Sequence, residues 1–385
     1  MAAESWHQRA LCGGVLPKLW GHTACLWEGK LYVYTRGLKQ PHDLVCIDCR
    51  SLAVAILTTS GPCPSKRDTH TASLVGSKMV MFGGSDGKTS YNEVYVCDLR
   101  TLEWSVPKVW GSPPRPRDSH SAVVYGQSII VFGGSVPEGA SQNGSGGDRE
   151  PDVDVETLDD SEDEAPQSND VYTLDTNRWC WARVNTPQPL PAARESHIAA
   201  VTEQQVVVHG GDSGGVYSCD LWALHPQPDL TLWRWQQLKV RSPEQPAARA
   251  GHAAVATTTG IYMFGGVDGS LELYFNDCWR LRVGPDAAYG LGTDEAWWSR
   301  VTYSGEPPEG RYLHTLSHYD DELYLLGGST SDGRLLAELH TLKLTPALEL
   351  SLDQPPAPPS IKLAMQPLPT DPPSGLVRTL GGQRE

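Results

Sequence analysis

Short apolar runs come in pairs along this chain, each pair opening on the same polar punctuation and ending in two glycines. Residues 117–134, RDSHSAVVYGQSIIVFGG, show the order: Arg, a spacer, His, an apolar run, a turn, a second apolar run and Gly-Gly. The order recurs around His70, His197, His252 and His314. In all five copies the first glycine (Gly83, Gly133, Gly210, Gly265, Gly327) lies 13 residues after the His. The arginine (Arg67, Arg117, Arg194, Arg249, Arg311) always lies three before it. Repetition at a fixed period marks an architecture in which each unit buries its apolar face against its neighbours.

Two further strand signals follow each Gly pair. The third strand opens on Asn or an acid and alternates, as in residues 92–98, 169–175 and 276–282. The fourth is built on Trp104, Trp181, Trp235 or Trp298, with Pro-rich turns after it. No stretch carries the period of an amphipathic helix, so the chain reads as all-β. Four strands in a unit of roughly 50 residues is the pattern of a propeller blade. A weaker copy surrounds His22, with Leu19, Thr35-Arg36 and Val54 where the others have Arg, Gly-Gly and Trp. Residues 42–48 still fit its third strand, so it counts as the first of six blades, beginning near His22, His70, His120, His197, His252 and His314. No Trp follows the last copy, yet Trp6 stands 16 residues before His22, the spacing that separates most fourth strands from the next His. The segment around Trp6 is therefore expected to be the outer strand of the last blade, closing a propeller over residues 1–345.

The combination R-x-x-H, paired apolar strands, Gly-Gly, Asn-acid-aliphatic and Trp resembles the Kelch repeat family, over about residues 6–343. The resemblance implies a six-bladed Kelch β-propeller closed by an N-terminal strand.

Composition and charge refine this. The chain has 385 residues and a formal net charge of −15. Residues 136–168 hold eleven acids against one arginine, so −10 of that charge sits in one segment without aromatics, expected to be a disordered loop. Residues 346–385 are Pro-rich and read as a flexible tail. The body is then only mildly acidic, and no nucleic-acid partner is expected. No apolar run approaches the ~20 residues of a membrane helix, so no membrane partner is expected either. The N-terminus lacks the basic start of a signal peptide. Nine cysteines without a paired framework suit a reducing compartment, the cytoplasm and/or nucleus.

Strand alternation puts the loops before the first strands on the same face as the loops after the Gly pairs. That face would gather Arg67, Arg117, Arg194, Arg249 and Arg311 beside Ser85, Asp86, Ser135, Asp212, Ser213, Asp268 and Ser329. Arginine binds carboxylates in a bidentate fork, so a protein or peptide partner with acidic or C-terminal carboxylate groups is expected there. The resemblance points the same way, because Kelch degron receptors use Arg at equivalent loop positions. A second reading stays open: Asp68, Asp118 and Glu195 directly follow three of the arginines, which would then cross-link blades through salt bridges or carbonyls. The acidic segment emerges on this face and would shield the pocket or compete with acidic ligands. Within it, Thr157 and Ser161 sit in acidic contexts as candidate phosphorylation positions.

No catalytic residue stands out. The histidines recur once per blade, and neither a phosphate loop nor a nucleophile elbow appears. Cys46 and Cys49, with Cys25 or His42, give a zinc-like spacing, but a lone pair inside a strand does not make a metal centre. No metal and no cofactor is expected. The resemblance implies a non-catalytic interaction module, a substrate receptor or adaptor in a ubiquitin-ligase or trafficking complex. Its alternatives are a Kelch-type propeller enzyme of the oxidase or sugar-epimerase class and an actin- or transcription-associated scaffold.

Overall fold

Each repeat folds into four antiparallel strands, as blade two shows with Thr71–Val75, Lys78–Phe82, Val94–Asp98 and Glu103–Ser105 in that order from the axis outward. The computed structural model describes residues 5–40, 42–137, 167–202, 205–227, 232–286 and 289–344. Most of the acidic segment, with Thr157 and Ser161, and the expected tail 346–385 lie outside the described residues. The described strands form six four-stranded blades arranged as a β-propeller, as the repeats predict. Second strands are buried over four consecutive positions (Met79 to Phe82, Ile129 to Phe132, Leu323 to Leu326). Both faces of an inner strand meet a neighbouring blade, which is why these runs are continuously apolar while outer strands alternate.

The last blade is completed by the first strand of the chain. Trp6–Gln8 pairs antiparallel with Leu339–Lys343, Trp6 opposite Leu342. The Trp6 indole then packs 5.2 Å from Phe264 of blade five. In five of the six blades the outer edge is also covered by the linker arriving from the preceding blade, running parallel to it. Trp110–Gly111 does this for blade three and Lys239–Val240 for blade five. Bridges Cys12–Ala53, Ser60–Glu103 and Ser5–Ser304 do it for blades one, two and six. Such cover removes the unpaired edges that would invite another chain to add a strand.

There is no single core. Six buried clusters lie one between each pair of adjacent blades. Five are built on one clamp: the last residue of a second strand is held between the His and the outer-strand Trp of the next blade. Phe82 meets His120 at 5.2 Å and Trp181 at 4.9 Å; Phe132 meets His197 at 5.0 Å and Trp235 at 4.8 Å. Tyr34, His209 and Phe264 are held the same way. Blade one departs from the repeat because its interface with blade six lacks the clamp: Leu326 stands in place of the clamped aromatic, and Leu19 and Val54 join it in one cluster with Tyr324. Tyr34 still serves the interface with blade two.

The histidines also close the ring by hydrogen bonds. Each Nε2 reaches the preceding blade: His70 to Thr23 (2.9 Å), His120 to Thr71 (2.9 Å), His197 to Ser121 (2.8 Å), His252 to His209 (3.1 Å), His314 to the Phe264 carbonyl (3.1 Å) and His22 to Thr315 (3.1 Å). The Gly pair makes room for this. Gly83 has φ +68°, and a Cβ there would lie 2.7 Å from both the Arg117 carbonyl and the His120 ring. Just inside, residues 21, 69, 119, 196, 251 and 313 all adopt positive φ. Their backbones join head to tail: Thr69 N–H to Gly21 O (2.7 Å), Ser119 to Thr69 (2.9 Å), Ser196 to Ser119 (2.8 Å), Gly251 to Ser196 (2.7 Å), Leu313 to Gly251 (2.7 Å) and Gly21 to Leu313 (3.1 Å). A closed hoop of six backbone hydrogen bonds surrounds the axis.

Two outcomes are expected. Trp6→Ala removes the indole from the seam between blades five and six and should cost about 3–5 kcal/mol, seen as a sharp fall in Tm; an unchanged melt would reject closure by this strand. Burial holds the imidazoles of His22, His70, His197, His209 and His314 at about 3, against 6.5 for a free histidine. The unfolded chain therefore binds more protons below pH 6.5. Stability is full above that pH and falls as pH drops toward 3, each histidine adding a slope of up to ~1.4 kcal/mol per pH unit. Denaturant midpoints should be flat from pH 7 to 8 and fall steeply below pH 6, more steeply than one titrating group permits.

Candidate functional site

The loops before the first strands and those after the Gly pairs do share one face, but the five arginines are turned into it. Arg117 donates from Nη1 to the Gly133 carbonyl (2.8 Å) and Asp170 Oδ1 (2.6 Å), and from Nη2 to Asp170 Oδ2 (3.1 Å). Its Nε donates to the Arg115 carbonyl (3.1 Å). Arg194 repeats the arrangement with Gly210 and Asp220, and Arg249 with Gly265 and Asp277. Arg67 and Arg311 make single contacts to Glu93 (3.1 Å) and Glu338 (2.7 Å). All five side chains are 0–2% exposed. Burial works to raise the carboxyls of Asp170, Asp220 and Asp277, and the arginine's hydrogen bonds and charge outweigh it, holding Asp220 at about 2.

These arginines are thus not presented to a partner's carboxylate, which corrects the expectation for Arg67, Arg117, Arg194, Arg249 and Arg311. A buried guanidinium needs its charge and its donors satisfied from within, and each blade carries its own acid for that purpose. Nor do the side chains cross-link blades, since Arg, Gly carbonyl and acid belong to one blade. The arginine backbone does the cross-linking: Gly84 N–H donates to Arg117 O (2.9 Å), Gly134 to Arg194 (2.9 Å) and Gly328 to Leu19 (2.8 Å). The pairing was signalled in the sequence by the acids that open the third strands, Glu93, Asp170 and Asp277, which recur in step with the arginines.

The Ser and Asp residues expected beside them mostly build loops. Ser85 Oγ accepts from the Gly87 amide (3.0 Å), and Asp212 Oδ1 from the Gly215 amide (2.8 Å). Ser213 donates to the Ala193 carbonyl (2.6 Å), and Asp268 accepts from Ser270. Ser329 is 4% exposed. Asp86 accepts from the Lys88 and Thr89 amides (2.8 Å each). Ser135 lies in a short bridge between Asp118 and Gln167, the point where the acidic segment leaves this face. Cys46 packs between blades one and two and Cys49 between blades six and one, so the two thiols enter separate cores. Among the described residues no group of three potential metal ligands converges.

The face instead presents a division that the repeats hide. Around the hoop, the position after the arginine is Asp68, Asp118 and Glu195 in blades two to four, then Ala250 and Tyr312 in blades five and six, and Trp20 in blade one. Burial raises the Asp68 carboxyl, opposed by Arg36, whose Nη1 lies 3.3 Å away. That arginine, standing where other blades have a glycine, is 49% exposed. Asp118 accepts from Ser90 of blade two (3.0 Å). The loops after the Gly pairs in blades four to six carry Val216, Leu271, Leu273 and Leu335, exposed by 67%, 64%, 48% and 39%. They are tied together: Gly269 leaves no room for a Cβ beneath the Tyr217 hydroxyl, and Tyr274 stacks edge-on to Tyr312 at 5.7 Å. An apolar crescent on blades four to six therefore meets a carboxylate-rich rim on blades two to four, blade four carrying both. The sequence reading passed over these residues because they do not repeat; their signal was an apolar residue inside a polar turn.

A family model described as the KLHDC2/KLHL20/DRC7 Kelch-repeats domain matches residues 1–148 and 160–291. The chain is 31% identical over 114 residues to Tip elongation aberrant protein 1 of Schizosaccharomyces pombe, covering 29% of this chain and 10% of that one. It is 30% identical over 191 residues to human Host cell factor 1, covering 45% and 9%. Acyl-CoA-binding domain-containing protein 4 of Arabidopsis thaliana is 26% identical over 193 residues, covering 46% and 26%. The matches thus span from under a tenth to about a quarter of those relatives' lengths. Among solved structures, YjhT superposes with a TM-score of 0.56 over 86% of this chain and 93% of that one, at 13% identity.

Arg194→Ala leaves the half-buried Asp220 with only Ser218 and Trp222 as side-chain donors and should cost about 2–3 kcal/mol in chemical denaturation. Arg36→Ala, at an exposed pair, should cost less than about 1 kcal/mol. Equal losses would show that the buried arginines are not scaffold.

Proposed function

The chain belongs to the Kelch-repeat family, and from that premise we propose that it is a non-catalytic protein-interaction module whose partner docks on the loop face. One observation carries the reading: Val216, Leu271, Leu273 and Leu335 stand out from ordered loops of three adjacent blades. Exposed apolar side chains clustered beside a polar rim mark contact surfaces, and large side chains at the centre of such patches supply most of the binding energy. The neighbouring rim of Asp68, Asp118 and Glu195 favours a partner segment that sets a basic residue beside its apolar ones. Arg36, the exposed guanidinium beside Asp68, is already 3.1 Å from the Asp86 carbonyl.

A substrate receptor or adaptor in a ubiquitin-ligase or trafficking complex would use such a face, as would an actin- or transcription-associated scaffold. A reducing compartment, cytoplasm or nucleus, accords with nine unpaired cysteines, five of them buried. An enzymatic role of the oxidase or epimerase kind finds no support in the histidines, since the once-per-blade imidazoles are all enclosed between blades.

The test is a photo-crosslinker at position 216 in the full chain, with partners identified by mass. Leu271→Asp with Leu273→Asp should abolish the crosslinked partners at unchanged Tm, since both residues are exposed. Partners that survive this double substitution would place docking elsewhere.

A further inference from the structure

Blade four lacks the edge cover that the other five blades share, and one residue explains why. The covering residues Cys12, Ser60, Trp110, Arg241 and Ser304 each stand six positions after Trp6, Val54, Trp104, Trp235 or Trp298 of the preceding blade's outer strand. Their backbone N–H groups make the link: Cys12 donates to the Leu52 carbonyl (3.1 Å), Ser60 to Leu102 (2.9 Å), Trp110 to Trp179 (2.8 Å) and Arg241 to Ala296 (2.9 Å). The Cys12 and Ser60 carbonyls accept in return from the Val54 and Trp104 amides (2.8 Å each). At the same interval from Trp181 stands Pro187, which has no N–H to give.

The outer strand of blade four, Arg234–Gln237, pairs on its inner side with Leu221–His225, Leu224 opposite Trp235. The bond from the Leu238 amide to the Leu221 carbonyl (2.9 Å) fixes the alternation, so the Trp235 N–H and C=O point to the open side. Among the described residues the arriving linker reaches this edge through one backbone bond, from the Trp233 N–H to the Asn185 carbonyl (3.1 Å). The Trp233 carbonyl and the Trp235 amide, which correspond to Leu102 and Trp104 in blade two, are not bonded to that linker, and Pro187, Gln188 and Pro189 lie exposed. Such an edge is a template for another strand. The covered edges show what fits it: an extended segment running parallel to the strand. In four of the five, the pairing residue is followed by glycine (Gly13, Gly61, Gly111, Gly305), and at Gly61 and Gly111 the Trp104 and Trp181 carbonyls leave no space for a Cβ. Beside the edge lies a depression of about 540 Å³ lined by His225, Leu232 and Arg234, with Leu232 40% exposed and the Arg234 guanidinium in solvent. These two side chains favour apolar and acidic residues in whatever docks there.

We infer that the outer edge of blade four is a second docking site, separate from the loop face, for an extended segment of a partner protein. The segment adds as a parallel strand: one of its N–H groups donates to the Trp233 carbonyl, and the carbonyl of the same residue accepts from the Trp235 amide. A glycine follows that residue, and apolar and acidic side chains flank the pair.

The probe is a capped synthetic peptide copying residues 301–307, VTYSGEP, the linker that covers blade six. Amide exchange is read by NMR on the full-length protein. In the free protein the Trp235 amide should exchange at least about tenfold faster than the bonded Trp104 amide, and the peptide at millimolar concentration should slow it. Methylating the peptide's serine nitrogen should weaken binding about tenfold, the loss of roughly one hydrogen bond. Pro187→Ser with Gln188→Gly restores the donor and the glycine within the chain; it should protect Trp235 and abolish peptide binding. If that variant lowers Tm, Arg234→Glu, at an exposed position, should weaken binding of the acidic peptide instead. Leu271→Asp/Leu273→Asp should bind the peptide unaltered. A free-protein Trp235 amide as slow as that of Trp104 would overturn the inference, placing another part of this chain on the edge. So would a peptide that leaves Trp235 unprotected, or one indifferent to methylation. Sedimentation of the full chain as a dimer that Pro187→Ser/Gln188→Gly converts to monomer would also overturn it, assigning the edge to a second copy.

Discussion

Six backbone hydrogen bonds around the axis hold this molecule to one shape. Each donor and each acceptor belongs to a different blade, and the last bond, from Gly21 to Leu313, exists only when the first and sixth blades meet. The hoop requires left-handed backbone at every junction. Gly21 and Gly251 adopt it freely, whereas Thr69, Ser119, Ser196 and Leu313 do so at a cost on the order of 1–3 kcal/mol each. That strain persists because the neighbouring contacts over-determine it: a His bonded to the preceding blade one residue later, and a buried Arg two residues earlier. Closure is thus a collective property. The N-terminal strand, though only Trp6–Gln8, matters beyond its length because it completes the blade on which the last link rests.

The same constraint explains why the arginines turned inward. A residue three before the His sits beside the first Gly of its own blade, whose carbonyl points back at it, and beside the acid opening the third strand. With both acceptors within 3.2 Å, the guanidinium is saturated before any partner arrives. Blade one tests this relation naturally. Leu19 stands in the arginine's place, yet its carbonyl still accepts from Gly328 and its side chain joins Leu326 and Val54 in one buried cluster. The backbone role survives the loss of the side-chain role, so the two are separable.

What repeats in this chain therefore serves the ring, and what does not repeat is left for recognition. The apolar crescent lies on blades four to six, and the carboxylate rim on blades two to four. A fold made of six near-equivalent units acquires a direction from such irregularities, because identical loops would present six equal faces and select no orientation of a partner.

The sequence by itself determined the blade count, the four strands of each blade, and the closing role of Trp6. Those features are carried by spacing, and spacing along a strand converts directly into position because the rise per residue and the side-chain alternation are constant. Only the tertiary structure decided which way each side chain is spent. Arg117 and Asp170 are 53 residues apart with the acidic segment between them, and no local rule says that they meet. Gly21, Thr69 and Leu313 show nothing in sequence of the hoop they share, since a left-handed residue is chosen by its neighbours across the blade boundary. The apolar crescent is likewise a product of which loops come together, a distance in space that no interval along the chain records.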